Sequence, residues 1–207
     1  MIIHHKKKTL TKKHNKLHVI YIPGLGDSNV SNQIKVVNTW KWWGVEAELF
    51  RMNWSDDVKW EIKFNKLLAR IDELANSGKK IGLVGASAGA GAVINAMAAR
   101  QSSIIGAVCI CGKINFPEDI SSKFFDSNSS FKASAFEAPN SLDKINMEKR
   151  KSILSRYAPY DETVRRRDSV IEGARNRTIL TVGHFITIAL HLLFGAPSFL
   201  RFLKKQM

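Results

Sequence analysis

The sequence predicts an α/β fold, in which helices cover both faces of a mainly parallel sheet of about six strands in a three-layer, doubly wound arrangement. Short, near-continuous apolar runs alternate along the chain with segments of helical period, as is typical of parallel strands buried on both faces. The chain has 207 residues, 44% of them hydrophobic, which is enough for one core and too few for two comfortable domains. We therefore expect one domain over residues 17–207, preceded by a basic arm over residues 1–16.

The apolar pattern places the elements in order along the chain. The period is plainest in the helix at 57–76, where apolar side chains recur every three or four residues from Trp60 to Leu74. Strands are predicted at 17–22, 45–51, 80–85, 104–110, 152–157 and 178–182. Helices are predicted at 29–41, 57–76, 88–100, 164–175 and 186–194.

A sharp turn between a strand and a helix is predicted at Ser87. The apolar run 81–84 leads into Gly85-Ala86-Ser87-Ala88-Gly89, and an alanine-rich, helix-prone stretch follows. Glycine-sized neighbours let strand and helix approach closely, and the strained turn lifts the serine hydroxyl clear of the sheet. The first amides of the helix point to a place where negative charge can be stabilised. Ser87 is therefore a candidate nucleophile, and the N–H of Ala88 is a candidate oxyanion donor.

A serine of this type needs a histidine base and an acid, in the chain order serine, acid, histidine. Two histidines follow Ser87. His184 comes after a short β-prone run and a glycine, so it is expected just past the end of a strand, whereas His191 lies in an apolar helical run. His184 is the candidate base, and the alternative interpretation is an ordinary core histidine.

The candidate acid is Asp161, which follows the strand predicted at 152–157 and precedes His184 by 23 residues. That spacing allows one loop, one helix and one strand, which would bring both side chains to the same edge of the sheet as the serine. The alternative is that Asp161 caps the next helix. Glu162 and Asp168 are the reserve candidates for the acid.

A tight glycine turn, Pro23-Gly24-Leu25-Gly26, follows the first strand. Such a turn can aim a backbone N–H at the oxyanion of a tetrahedral intermediate. We expect the first donor to be Leu25, with Gly26 as the alternative, and we expect Gly24 and Gly26 to border the substrate. An ordinary loop between strand and helix is the competing interpretation.

These motifs, in this order, resemble those of the α/β-hydrolase superfamily. The resemblance runs from about Leu17 to the C-terminus and matches the family's oxyanion loop, nucleophile elbow, acid turn and histidine loop with residues 23–26, 85–89, 160–164 and 183–184. It implies a serine hydrolase that cleaves carboxylic esters of short to medium acyl chains through an acyl-enzyme, acting on a small-molecule acyl substrate without a cofactor. Thioesterase or peptidase activity is the enzymatic alternative.

The chain departs from the family pattern in three ways. Pro23 stands where many members carry histidine before the first glycine, and Ala86 replaces a common histidine beside the serine. The two leading strands of the full-length fold are absent, as in minimal members such as cutinases and small bacterial lipases. A second hypothesis, from a different class, is a non-catalytic hydrolase-like module that binds an acidic partner or a membrane surface.

The segment 113–150 interrupts the alternation of strand and helix and is rich in Ser, Asn and Phe. We expect either a lid or insertion over the site, with Phe116 and Phe124 contacting the substrate, or an excursion whose phenylalanines dock on the core. Cys109 and Cys111 lie on a predicted core strand and are expected to be buried free thiols. No histidine and cysteine cluster has the spacing of a zinc site, so we predict no metal and no cofactor.

The net charge of +14 is partly concentrated in the N-terminal arm. Such an arm can make weak, salt-sensitive contacts with anionic lipid or nucleic acid, and a solvated tail is the alternative. The apolar residues 199–203 beside Lys204 and Lys205 leave attachment to a membrane surface open. No nucleic-acid motif and no secretory signal are recognised, so we predict a cytoplasmic protein with no obligate partner.

Overall fold

The computed structural model describes residues 16–207, and a six-stranded parallel sheet forms the centre of this part of the chain. The strand order is β2-β1-β3-β4-β5-β6, and every neighbouring pair is parallel. The mainly parallel sheet of about six strands is thereby confirmed. The strands are β1 (Leu17–Ile22), β2 (Glu46–Leu49), β3 (Lys80–Ala86), β4 (Ile104–Ile110), β5 (Ile153–Tyr157) and β6 (Arg175–Thr178).

Helices cover both faces of this sheet, as the three-layer prediction requires. Helices α2, α3 and α5 pack into one hydrophobic cluster, while α1, α8 and α9 pack into a second cluster on the opposite face. The helices are α1 (Ser31–Thr39), α2 (Trp60–Asn76), α3 (Ala88–Ala99), α4 (Ser122–Asp126), α5 (Ser129–Lys144), α6 (Met147–Arg150), α7 (Arg166–Ser169), α8 (His184–Phe194) and α9 (Ala196–Lys204). Short 3₁₀ turns occupy Trp40–Trp43 and Pro117–Asp119.

The start of α3 crosses the ends of β1 and β3 at very short range. A Cβ atom added to Gly89 would lie 2.1 Å from the carbonyl oxygen of Ile22, and one added to Gly85 would lie 2.5 Å from the carbonyl oxygen of Gly89. Both obstructing atoms belong to the backbone, so no side-chain rotation could relieve the overlap. The two glycines are therefore required by the close approach of helix and strand.

The C-terminal third departs from the predicted boundaries. The helix predicted at 164–175 is wrong in length, because only the four residues of α7 are helical. The last strand lies at Arg175–Thr178 instead of 178–182, and the last predicted helix begins earlier, at His184. The apolar pattern misled here because β6 is a polar edge strand that pairs with β5 through its backbone, while the apolar residues 179–182 form a connecting loop.

The two last helices differ in how they bury their apolar side chains. Phe199, Leu200, Phe202 and Leu203 of α9 are all buried against the sheet, so these side chains are not available to a membrane surface as the sequence suggested. A helix as apolar as α8 is normally buried on most sides, but α8 has one side exposed. Among the described helices, none is long and apolar enough to span a membrane alone; α8 and α9 meet that test only as a pair bent by 64°. Residues 1–15 of the predicted basic arm lie outside the described part of the chain.

Replacing Gly89 by alanine tests the close crossing. We expect Gly89→Ala to lower the free energy of unfolding by about 2 kcal/mol or more, because the new methyl group overlaps backbone atoms. Gly91→Ala is the matched control in the same helix, since its Cβ would meet nothing closer than 3.5 Å and alanine favours the helix by up to about 1 kcal/mol. Urea unfolding measures both. Equal stability of the two variants would contradict the crossing geometry.

Candidate active site

Ser87 occupies the sharp turn between β3 and α3. Its φ of 50° lies in the left-handed region that non-glycine residues rarely adopt. Its backbone N–H donates to the carbonyl oxygen of Ile110 at the end of β4, at 2.9 Å, which holds the turn against the sheet. The strained turn that the sequence predicts is therefore present, and the hydroxyl projects from it toward α8.

The structure brings the side chains of Ser87, His184 and Asp161 into one hydrogen-bonded chain. Nε2 of His184 lies 3.0 Å from Oγ of Ser87, and Nδ1 lies 2.8 Å from Oδ2 of Asp161. The side chains of His184 and Asp161 are only 2% and 1% exposed. His184 is the first residue of α8 and does not follow a strand directly, but the bridge between Tyr160 and Val182 brings its loop beside that of the acid.

The side chain of Asp161 contacts His184 and also fixes its own turn, but it does not cap the next helix, because the N-cap of α7 is Arg165. The second oxygen of Asp161, Oδ1, accepts the backbone N–H groups of Thr163 at 2.9 Å and Val164 at 2.8 Å, which fixes the turn. Burial alone would raise the pKa of this carboxyl group, but the hydrogen bonds from His184 and from the two backbone amides outweigh it and leave the pKa below its ordinary value. Asp161 is therefore ionised at neutral pH.

The reserve candidates have other partners. Both carboxylate oxygens of Glu162 accept the backbone N–H of His184 at 3.1 Å, so Glu162 holds the start of α8 and does not reach the imidazole. Asp168 pairs with Lys113. His191 packs against Phe199 with its ring buried, and this burial, with the charge of Arg156, lowers its pKa to about 4.

Cys111 adds a thiol to this cluster. The cysteines at 109 and 111 are buried and free, as predicted. Burial, with the negative charge of Asp161, raises the pKa of the Cys111 thiol to about 12, so the thiol keeps its proton. Ligand atoms of Cys111, Asp161 and His184 lie within 4.8 Å of one another, close enough to share a metal ion. A protonated thiol is a poor metal ligand, so the arrangement favours hydrogen bonding, and the absence of a metal stays a prediction.

The predicted oxyanion loop packs directly on the turn that carries Ser87. A Cβ added to Gly24 would lie 2.9 Å from Cβ of Ser87, and Leu25 lines the same cavity as Ser87. Gly26 has a φ of 82°, which suits the turn, and it is not among the residues that line this cavity. Ala88, the other predicted donor, is the first residue of α3.

Two residues that the sequence analysis did not identify hold this loop in place. The buried carboxylate of Asp27 accepts the backbone N–H groups of Asn53 at 2.6 Å and Trp54 at 3.2 Å. The indole N–H of Trp54 donates to the carbonyl oxygen of Pro23 at 3.1 Å. An aspartate directly after the glycine turn was a visible signal, but nothing in the local sequence pointed to its partners.

A cavity of about 300 Å³ opens beside Ser87. It is lined by Leu25, Ser87, Lys113, Asp119, Ile120, Ser121, Phe124, Phe131, Glu162, Thr163, Val164, Arg165 and Asp168. Phe124 is thus where it was predicted. Phe116 is not, because it lies outside this cavity with the guanidinium of Arg167 4.9 Å from its ring centre.

The segment 113–150 divides between its two predicted roles. Residues 119–124 form one wall of the cavity, and the carboxylate of Asp119 accepts a hydrogen bond from Arg167. Helix α5 instead packs along α3, where the side-chain amide of Asn95 donates to the carbonyl oxygen of Ser134 at 3.0 Å. The first part therefore borders the site, and the second part belongs to the core, although Phe131 of α5 also lines the cavity.

A buried ion pair forms another part of the cavity wall. Nζ of Lys113 lies 2.9 Å from Oδ2 of Asp168, and the two side chains are 7% and 3% exposed. The same oxygen of Asp168 accepts the backbone N–H of Arg165 at 3.1 Å. This pair lines the cavity together with other polar side chains and with apolar ones such as Ile120 and Phe124, so the cavity offers both kinds of contact.

Comparison with known proteins shows the fold. No protein-family model matches the chain, and no curated protein matches it in sequence. Among solved structures, Est1E from Butyrivibrio proteoclasticus superposes with a TM-score of 0.71 at 18% identity, covering 95% of this chain and 90% of that one.

Two further structures are similar over comparable lengths. A Paleococcus ferrophilus monoacylglycerol lipase has a TM-score of 0.63 at 14% identity, with 92% of this chain and 95% of that one covered. A putative non-heme bromoperoxidase, BpoC from Mycobacterium tuberculosis, has a TM-score of 0.62 at 13% identity, with 92% of each covered. The chain therefore has the α/β-hydrolase fold that its motifs resemble.

The Lys113–Asp168 pair is expected to be strongly coupled. Lys113→Met should lower the free energy of unfolding by about 3 kcal/mol, because it leaves a buried carboxylate unpaired. Lys113→Met/Asp168→Asn should recover much of that loss. The exposed Lys151–Glu148 pair is the control, and breaking it should cost less than about 1 kcal/mol. Urea unfolding of the full cycle measures the coupling, and a loss for Lys113→Met as small as the control's would contradict it.

Proposed function

We propose that this protein is a serine hydrolase that cleaves carboxylic esters through an acyl-enzyme. The observation that carries the proposal is the hydrogen-bonded chain from Ser87 through His184 to Asp161, which ends in a cavity of about 300 Å³. A nucleophile, a base and an orienting acid with these contacts are what acyl transfer to a serine requires. The fold supports the proposal as an analogy only, because it carries many reactions.

In the first half-reaction, Oγ of Ser87 attacks the carbonyl carbon of the ester, and its proton moves to Nε2 of His184. Asp161 accepts Nδ1–H of His184, which selects the tautomer whose Nε2 is free to take that proton. The imidazolium then protonates the leaving alcohol as the carbon–oxygen bond breaks. In the second half-reaction His184 activates a water, which releases the acid and restores the hydroxyl of Ser87.

The oxyanion of each tetrahedral intermediate is held by the backbone N–H groups of Ala88 and Leu25. Ala88 stands at the N-terminus of α3, where the helix dipole favours negative charge, and the loop of Leu25 is fixed by Asp27 and Trp54. One such donor is worth roughly 3–4 kcal/mol in comparable sites. A rigid loop matters here because donors that are already in place need no rearrangement when the charge develops.

The cavity suits acyl groups of short to medium length. Its volume is at the lower end of the range for small-molecule sites, and Ile120, Phe124 and Phe131 give it apolar walls. One neighbour of similar fold is described as a monoacylglycerol lipase, which agrees with an ester substrate. Thioesters and peptides remain the alternatives within the same mechanism, since all three pass through an acyl-enzyme.

The non-catalytic module is the weaker candidate. That hypothesis expected a misaligned triad or a cavity blocked by the phenylalanines of 116–136. In this structure His184 reaches both partners at hydrogen-bond distance, and Phe116 lies outside the cavity. A strained serine turn is also costly to keep without a use for it.

Steady-state hydrolysis of p-nitrophenyl esters of graded chain length tests this proposal. We expect Ser87→Ala to lower kcat/KM by about 10⁴-fold or more, and Asp161→Asn by about 10²- to 10⁴-fold through the wrong tautomer of His184. Glu162→Gln is the matched control, because it changes the neighbouring carboxylate, which binds only the backbone of α8. Its loss should stay below about tenfold.

Two outcomes would contradict this assignment. Hydrolysis by Ser87→Ala at the wild-type rate would exclude Ser87 as the nucleophile. A larger loss for Glu162→Gln than for Asp161→Asn would make Glu162 the acid. Circular dichroism of each variant shows that the fold is retained.

A further inference from the structure

The outer side of α8 is apolar along its whole length. Its outward residues, which we call the α8 face, are Phe185, Ile186, Ala189, Leu190, Leu193 and Phe194, and all six are exposed. Phe185 and Phe194 are 74% and 76% exposed. A surface helix of a soluble domain normally turns charged or polar side chains outward. In α8 the pattern is reversed, because the buried residues are His184, Thr187, His191 and Leu192 and the outward residues are apolar.

The loop that leads into α8 extends the same apolar surface. Leu180 is 92% exposed and Val182 is 68% exposed. Neither side chain has a role in the core, and no Lys, Arg, Asp or Glu occurs between Thr178 and Leu200. A continuous exposed apolar surface of this kind marks a place where something else binds.

The C-terminal segment that carries this surface is basic, whereas the acidic Glu162 lies at the start of α8, where it accepts the backbone N–H of His184. From Gly173 to Met207 the chain contains no Asp or Glu, but it contains five basic residues, all exposed: Arg175, Arg177, Arg201, Lys204 and Lys205. Two contacts tie arginines of the last two strands, β6 and β5, to α9, the neighbour of α8. Arg175 lies over the ring of Phe202, 5.4 Å from its centre, and Arg156 donates to Ser198 at 2.6 Å.

We propose that the α8 face docks on the surface of an anionic lipid bilayer. The apolar side chains enter the boundary between headgroups and acyl chains, and the positive charge of residues 173–207 attracts the anionic headgroups, so that both buried area and charge favour binding. This surface is distinct from the N-terminal arm and from the residues of α9, which are the two segments that the sequence suggested for contact with a membrane. The proposal does not depend on the proposed function.

Two other uses of this surface fit the structure less well. A membrane-spanning α8–α9 pair would remove Phe199 and Leu200 from the core, where both are buried. A second copy of the chain docked through a twofold axis would place the same surface against itself. Each copy carries a net charge of +14, so repulsion between like charges opposes that pairing, whereas an anionic bilayer neutralises the charge.

Docking in this way would bring the active site to the lipid. His184 is the first residue of α8, and its ring contacts Phe185 edge to face at 5.5 Å between centres. Substitutions at Phe185 would therefore disturb the site as well as the surface. Leu193 and Phe194 at the far end of the helix, about 14 Å from His184 by the helical rise, separate the two effects.

Sedimentation of the full-length protein with vesicles tests the proposal. The vesicles are an equimolar mixture of phosphatidylglycerol and phosphatidylcholine, compared with phosphatidylcholine alone. We expect binding to the anionic vesicles that weakens with added salt. The variant Leu193→Gln/Phe194→Gln should reduce the bound fraction by at least about tenfold, and Ser87→Ala should bind as the wild type does.

The matched control is Val58→Gln/Ile62→Gln, which removes two exposed apolar side chains at the start of α2, on the opposite face of the sheet. It should change binding by no more than about twofold. Three results would overturn the proposal: binding by the α8 variant as strong as that of the wild type, equal binding to both kinds of vesicle, or a wild-type dimer without vesicle binding that the α8 variant converts to a monomer. Sedimentation velocity without lipid detects the dimer.

Discussion

The contact between the first turn of α3 and the ends of β1 and β3 determines where the nucleophile and the loop of the proposed oxyanion donor lie. Because Gly89 lies against the carbonyl oxygen of Ile22, the helix begins directly above the sheet, and the chain between β3 and α3 has room for a single strained residue. That residue is Ser87. The same crossing presses Gly24 against Cβ of Ser87, so the loop of the proposed oxyanion donor is placed by the packing that places the nucleophile.

The histidine and the acid are positioned by a second set of contacts, around the start of α8. Asp161 uses one oxygen for the ring of His184 and the other for two backbone amides of its own turn. Glu162 binds the backbone of His184. Neighbouring carboxylates therefore fix both the ring and the backbone of His184, and little freedom remains for the imidazole to move away from Ser87. Preorganisation of this kind lowers the cost of reaching the transition state.

The local sequence pattern was sufficient to predict those parts of the molecule whose conformation depends on residues adjacent in the chain. The glycines next to Ser87 indicate the sharp turn, and the apolar runs of β1, β3 and β4 indicate buried strands. The sheet and the positions of Ser87, Asp161 and His184 could therefore be predicted. Strand β6 could not, because its partner is the backbone of β5 and its side chains are polar.

Contacts between distant segments were also invisible in the sequence. Asp27 accepts hydrogen bonds from the backbone of residues 53 and 54, and Lys113 pairs with Asp168. Both contacts join residues far apart in the chain, and no periodicity in the sequence indicates them. The exposed side of α8 was missed for another reason. An apolar helix is normally taken to be buried within its own domain. That inference fails for α8, because the surface proposed to cover its outer side is a lipid bilayer and not another part of the chain.

The most direct test of the central claim is reaction of the folded protein with a fluorophosphonate, followed by peptide mass spectrometry. Such a probe forms a covalent bond only with a serine that a neighbouring base has activated. We expect a single adduct on Ser87 in the wild-type protein. We expect no adduct in His184→Ala, because that variant keeps Ser87 but lacks the base that activates it. An adduct elsewhere, or no adduct on folded protein, would contradict the assignment of Ser87 as an activated nucleophile.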